Sequence, residues 1–221
     1  DEGYSNKITI RIDSVIDNTV FGRSIVAGNE RPFQGSAARQ AGTWRITASE
    51  PGTDQYDGIF HFVINAKTVK GTWSAYNKKL SAPEKTYELT RTEFRYNPNA
   101  PLSQDLLGEP FEGSFNDTTE QGEVLTEKAL KLNPSTRLLK PGEVENLYKG
   151  DLEVLRNLIY ARHGYSFRNP RMRRVFDNHI DWYMPVSTDV TRQLTATELK
   201  NIELLKRYEA HASKYYDSFG R

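Results

Sequence analysis

The sequence predicts an α+β protein with two domains: an antiparallel β barrel or sandwich over residues 1–133 and a small all-helical domain over residues 134–221. Apolar and polar residues alternate with a period of two up to about residue 96, as they do in half-buried strands. From Pro134 onward the apolar spacing becomes helical. A cluster of chain breakers at residues 97–101 separates the two patterns, and residues 97–133 are predicted to be a loop-rich or linker segment of the first domain.

The strands of the first domain are predicted from this alternation. Ile8, Ile10 and Ile12 alternate with polar residues, and Asp17 with Asn18 signals a turn into a second strand over residues 20–26. Further strands are predicted over residues 42–48, 58–64, 69–76 and 86–96. Short strands joined by regular turns are typical of antiparallel barrels and sandwiches.

The helices of the second domain are predicted from their start signals. Pro141 suits the first turn of a short helix. Asn169 followed by Pro170 is a helix N-cap with proline at the first helical position, and Thr195 with Glu198 forms a capping box at the start of the last helix. The helix between them presents an apolar face formed by Leu152, Leu155, Leu158 and Ile159.

Five stretches of this second half resemble a known family. In chain order they read STRLL, DLEVLRNLIYARHGYSF, NPRMRRVFD, DWY and LTATELKNIELLKRYE, between residues 135 and 209. Together they resemble the YARHG domain, a small bacterial module named for the pentapeptide at residues 160–164. The resemblance implies a helical domain of a secreted or lipoprotein-like chain that acts outside the cytoplasm, in the periplasm or at the cell surface. It implies no established activity, and residues 1–133 carry no comparable resemblance.

The pentapeptide itself allows two interpretations. In the structural one, Gly164 ends a helix with a positive φ, while Arg162 and His163 lie in the last turn, where positive charge meets the negative end of the helix dipole. Arg156 or Arg162 would then form a bidentate pair with Asp181. In the binding interpretation, the residues that rim a ligand or partner site are Tyr160, Arg162, His163, Trp182 and Tyr183.

Composition and motifs restrict the chemistry. The net charge of +1 gives no global field for nucleic acid or a membrane surface, and the absence of cysteine excludes thiol nucleophiles and disulfides. The four histidines do not show the spacing of a metal-binding motif. The sequence therefore predicts no catalytic residue, no metal site, no cofactor and no nucleic-acid partner.

The function predicted is that of a non-enzymatic binding or protein-interaction module of the bacterial cell envelope, whose partner is an unknown protein or an envelope component. The chain starts at Asp1 without methionine, so membrane tethering through a removed N-terminal segment is an expectation as well. One alternative is a hydrolase that uses His163 or the acidic loop at residues 50–57, which contains Glu50 and Asp57. Another is a purely structural cap or spacer domain.

Overall fold

The computed structural model describes residues 6–111, 114–118, 120 and 122–215. The ends of the two predicted domains, residues 1–5 and 216–221, lie outside this range. Contacts divide the chain into two compact units. The β unit comprises residues 9–25 and 30–94, and the helical unit comprises residues 26–29, the described residues up to Ile8 and those from Arg95 on.

The β unit is built from one antiparallel sheet of seven strands in chain order, curled as a half-barrel. The strands are β1 (Ile8–Ile16), β2 (Thr19–Val26), β3 (Asn29–Gln40), β4 (Thr43–Ser49), β5 (Gly58–Ile64), β6 (Thr68–Ala75) and β7 (Glu84–Thr90). The predicted turn between the first two strands forms with positive φ at Asp17 and Asn18, the backbone of a tight hairpin. The predicted α+β class and antiparallel N-terminal sheet are confirmed.

Aromatic rings fill the inner face of the sheet. The Phe60 ring lies 5.5 Å from that of Phe33 and 4.8 Å from that of Phe62, measured between centroids. Gly71 lies opposite Phe62, and a Cβ there would come within 2.0 Å of the His61 carbonyl oxygen. Glycine at this position therefore lets two strands approach beneath the packed rings.

In its described residues the helical unit contains five α-helices: α1 (Glu127–Leu130), α2 (Pro141–Val144), α3 (Lys149–Arg162), α4 (Pro170–His179) and α5 (Ala196–Tyr215). The predicted start signals are confirmed. Pro141 opens α2, and the Asn169 side chain accepts a hydrogen bond from the Arg171 N–H at the start of α4. At α5 the Glu198 N–H donates to Thr195 Oγ1 over 3.2 Å. Among the helices of the described residues, none is long and apolar enough to cross a membrane.

Residues 97–133 contribute to the core of the helical unit. Five apolar side chains of this segment are buried in the same cluster as the apolar face of α3, namely Leu102, Leu106, Phe111, Leu125 and Ala129. From its mixed and loop-like signals, this segment is predicted to belong to the β domain. Its side chains nevertheless pack against helices, so the contacts divide the chain near residue 95, not at residue 133. The division into two domains stays a prediction.

Candidate functional site

The pentapeptide forms the end of α3. The helix ends at Arg162, and Gly164 follows with a φ of 76°. This left-handed backbone conformation strongly favours glycine. The Gly164 carbonyl then accepts hydrogen bonds from the Val186 and Ser187 N–H groups over 2.8 and 3.0 Å. The predicted helix end is therefore confirmed, and its backbone groups hold the loop that precedes α5.

His163 lies in a buried network rather than on a surface. Only 7% of the residue is exposed, and its Nε2 lies 2.8 Å from Glu198 Oε2. The Tyr96 ring stacks on the imidazole at a centroid distance of 4.3 Å, and the Tyr96 hydroxyl donates to Glu198 Oε1 over 2.9 Å. The Thr195 N–H donates to Glu198 as well. Three donors thus converge on one fully buried carboxylate.

Hydrogen bonds and burial within this network determine whether Glu198 and Tyr96 are protonated. Burial alone raises the pKa of Glu198, but hydrogen bonds from His163 and the Thr195 N–H outweigh this effect and lower the pKa to about 2. Because an ionised carboxylate can only accept hydrogen bonds, His163 donates from Nε2. Burial and the bond to Glu198 raise the pKa of Tyr96 to about 12, so its hydroxyl stays protonated.

Arg162 is also internal, with 4% of the residue exposed. Its Nε and Nη2 donate to the Ala100 carbonyl oxygen over 3.0 and 2.7 Å, and Nη1 donates to Asn133 Oδ1 over 2.8 Å. Burial lowers the pKa of the guanidinium to about 10. The guanidinium therefore hydrogen-bonds a backbone oxygen and a side-chain amide oxygen, and it is a charged group buried in the interior.

The predicted pairing of an arginine with Asp181 is wrong. Arg156 instead binds Glu209 on α5 in a bidentate pair of 2.8 and 3.0 Å. Arg162 is occupied by the Ala100 carbonyl, as described above. The prediction considered only charges near in sequence, whereas α3 and α5 pack against each other and bring a distant carboxylate closer.

The remaining candidate residues differ in exposure. Tyr183 is buried and its hydroxyl donates to the Tyr165 carbonyl oxygen over 2.7 Å. Trp182 is half-buried and its indole N–H donates to the Pro101 carbonyl oxygen over 2.7 Å. Tyr160 is half-buried beside Tyr165.

The expectation of an open rim is corrected by these positions. Arg162, His163 and Tyr183 are interior because their polar groups are satisfied by partners within the chain. Whether the five residues bind a partner stays a prediction, but they do not form a solvent-facing pocket rim.

One short segment covers the helix end. Residues 96–101, here called the covering segment, read YNPNAP. Tyr96 stacks on His163, while the Ala100 and Pro101 carbonyls accept from Arg162 and Trp182. Sequence reasoning treated this stretch as a breaker cluster and missed its role. The one usable signal was the Asn-Pro-Asn sequence, which favours a turn, and the Ala100 N–H does donate to the Asn97 carbonyl oxygen over 3.2 Å.

The acidic loop is likewise a structural element. Asp57 is buried and its Oδ2 accepts three hydrogen bonds, from the N–H groups of Gly52, Thr53 and Asp54. Glu50 is buried too and accepts from the Gly58 N–H and from Trp73 Nε1 over 2.8 and 3.0 Å. Burial raises the pKa of Glu50. Within the described part of the chain, no three His, Asp or Glu side chains are grouped so that they could hold a metal ion.

These contacts bear on the hydrolase alternative. A general base must reach a water or hydroxyl in an open cleft. The His163 ring is covered by Tyr96, and the carboxylates of Glu50 and Asp57 are occupied by backbone and indole donors. In all three places the arrangement stabilises the fold.

The second unit is thus a helical domain organised around a buried Arg–His helix end. In a comparison with protein families, the YARHG domain model matches residues 127–210, in the C-terminal part of the chain, as the resemblance implied. The N-terminal part matches no family. No curated protein sequence and no solved structure matches the chain.

Proposed function

We propose that this chain is a non-enzymatic binding module of the bacterial cell envelope, and that the helix end of its YARHG domain binds a peptide segment that contains a turn. One observation carries the proposal. Arg162, His163 and Trp182 all contact the covering segment, and that segment lies outside the residues matched by the domain family. The motif residues are therefore binding residues whose ligand is supplied by the same chain.

The chemistry of the contacts indicates what kind of segment fits. The Arg162 guanidinium and the Trp182 indole donate to two consecutive backbone carbonyls, so these contacts recognise the main chain of the segment and not its side chains. The face of His163 stacks on an aromatic ring four residues before the first of these carbonyls. The covering segment turns between these contacts, because the Ala100 N–H donates to the Asn97 carbonyl oxygen over 3.2 Å. Pro98 restrains the backbone of this turn and so reduces the entropy lost on binding. The expected ligand is a peptide with an aromatic residue followed by a proline-containing turn.

The purely structural alternative is favoured by a different aspect of the same contacts. Because the covering segment is part of the chain, its high local concentration keeps the site filled. The helix end would then serve to fix the chain at the start of the helical unit, and no external partner would be needed. The binding function and the structural function make different predictions for a variant that lacks the covering segment: only the binding function predicts that the helix end then takes up a free peptide.

The test uses the full chain with residues 96–101 replaced by six Gly and Ser residues. A synthetic peptide of residues 95–102 is titrated into this variant, and the indole N–H resonances of the three tryptophans are followed by NMR. We expect a saturable shift at Trp182, because its indole N–H regains the Pro101 carbonyl. Trp44 and Trp73 serve as internal references. A peptide with alanine in place of Tyr96 is the matched control and should bind more weakly.

The outcome separates the two alternatives. If the variant is folded and the Trp182 indole N–H resonance does not move at peptide concentrations up to the millimolar range, the helix end does not bind peptides. The purely structural alternative is then the one that agrees with the result.

Localisation needs its own measurement. The YARHG match supports a position outside the cytoplasm, in the periplasm or at the cell surface. We expect the protein in the extracytoplasmic fractions of the producing bacterium when cells are fractionated and probed with an antibody. Recovery in the cytoplasmic fraction would contradict this part of the proposal.

A further inference from the structure

The first strand of the sheet has an open edge that carries exposed apolar side chains. Among the described residues, β1 is hydrogen-bonded to one strand only, β2. Ile12, Val15 and Ile16 are 38%, 40% and 58% exposed. An unpaired edge with such side chains is a template for a further strand, and proteins usually protect it.

The charges on β1 indicate which strand pairs with it. Arg11 and Asp13 flank Ile12, and within one chain they form an ion pair of 3.5 Å in which the Arg11 side chain is still 63% exposed. When a strand pairs antiparallel with its own copy around a twofold axis, the residue on the axis faces itself and its two neighbours face each other. With Ile12 on the axis, Arg11 of each copy lies opposite Asp13 of the other. We infer that the chain forms a symmetric dimer through β1 in this register.

Neighbouring registers are less favourable. Placing Arg11 on the axis sets two arginines opposite each other, and placing Asp13 there sets two aspartates opposite each other. Like charges in directly opposed positions destabilise a strand pair, whereas opposite charges stabilise it. The charge pattern of β1 therefore selects the register centred on Ile12.

The apolar residues of β1 agree with the same register. Ile8 of one copy lies opposite Ile16 of the other, and Ile12 lies opposite Ile12. These residues share one face of the strand, because their numbers differ by multiples of two. Ile10 lies on that face and packs against the aromatic core of the β unit. Pairing thus extends an existing apolar face and covers Ile16, the most exposed of the large apolar residues of the strand.

The opposite edge of the sheet, strand β7, carries charged residues that disfavour pairing with its own copy. Strand β7 exposes Glu84, Lys85 and Glu88, and Glu88 is already paired with Lys70 over 2.8 Å. A twofold pairing joins only residues whose numbers differ by an even amount. Lys85 therefore cannot face either glutamate, and a register with Thr86 on the axis sets Glu84 against Glu88. Charged edges of this kind resist pairing.

The test is a mixing experiment with the full-length chain, followed by sedimentation velocity over a range of concentrations. We expect a wild-type dimer. Arg11→Asp leaves four aspartates across the interface and Asp13→Arg leaves four arginines, so each variant alone should show a dimer Kd raised by about tenfold or more. Mixed in equal amounts, the two variants restore every opposite-charge pair and should form a heterodimer. Thr86→Arg on β7 is the matched control and should leave the wild-type dimer unchanged.

A second pair of variants removes the dependence on Asp13, which also binds Arg23 within the chain. Ile12→Lys and Ile12→Glu place like charges on the axis in each homodimer and opposite charges in the mixture. Far-UV circular dichroism establishes that each variant is folded. A wild-type chain that sediments as a monomer at all concentrations overturns the inference. So does a dimer that survives these substitutions, or a mixture that forms no heterodimer.

Discussion

Glu198 is the residue whose removal should most disturb the helix end. Its carboxylate accepts three hydrogen bonds from buried or half-buried donors, those of Tyr96, His163 and Thr195. A hydrogen bond of this kind contributes about 1–1.5 kcal/mol, and removal of the acceptor also leaves buried donors unsatisfied. Glu198→Ala should therefore lower the free energy of unfolding by about 3–5 kcal/mol.

The assay is urea unfolding followed by far-UV circular dichroism, which reports the helical unit. Glu203→Ala is the matched control, because Glu203 lies on the exposed side of the same helix. It should change the free energy of unfolding by less than about 0.5 kcal/mol. If Glu198→Ala costs no more than this control, the buried network does not stabilise the domain and the reasoning fails.

The pH dependence of the same site has a definite sign. The folded pKa of Glu198 is about 2, below its ordinary value of 4.5, because hydrogen bonds to the charged form outweigh its burial. Such a group stabilises the fold above pH 4.5, and the stabilisation is lost as the pH falls from 4.5 towards 2. The stability difference between wild type and Glu198→Gln should be largest at neutral pH and shrink in this interval. A difference that stays constant through the interval would contradict the assignment.

Two further substitutions test other parts of the fold. Gly164→Ala should lower the free energy of unfolding by about 1 kcal/mol or more in a thermal unfolding experiment, because φ is 76° there. Gly142→Ala in α2 is the control: its added Cβ meets no neighbouring atom, so the stability should be unchanged or slightly raised. Asp57→Ala removes the acceptor of three backbone N–H groups and should cost about 2–4 kcal/mol by urea unfolding followed by tryptophan fluorescence, whereas Asp54→Ala at the exposed edge of the loop should cost much less.

Sequence reasoning succeeded where the determinants are local. The Asn169 cap, the Thr195–Glu198 box and the glycine that ends α3 each depend on residues within a few positions of one another. Alternation likewise sufficed to place the antiparallel strands, since the period of a strand is read from its own residues.

It failed where partners are distant in the chain. Arg162 and Ala100 are 62 positions apart, and the contact joins a side chain to a backbone carbonyl. Since every residue has a backbone carbonyl, the residue types in the sequence do not indicate which one the arginine binds. An arginine beside a histidine is normally exposed, so the composition of the pentapeptide favoured a surface. His163 is covered by Tyr96 and bound by Glu198, and Arg162 is bound by Ala100 and Asn133. The positions of these partners become known only once the chain is folded.

The covering segment also bears on how the chain withstands proteolysis. Polar, proline-containing stretches between folded units are common cutting sites. A protease must draw such a stretch into its own groove and bind its main chain, which requires the Ala100 and Pro101 carbonyls to leave Arg162 and Trp182 first. Cleavage within residues 96–101 therefore depends on opening of the helix end, and the rate of that cleavage measures how often the domain releases its own segment.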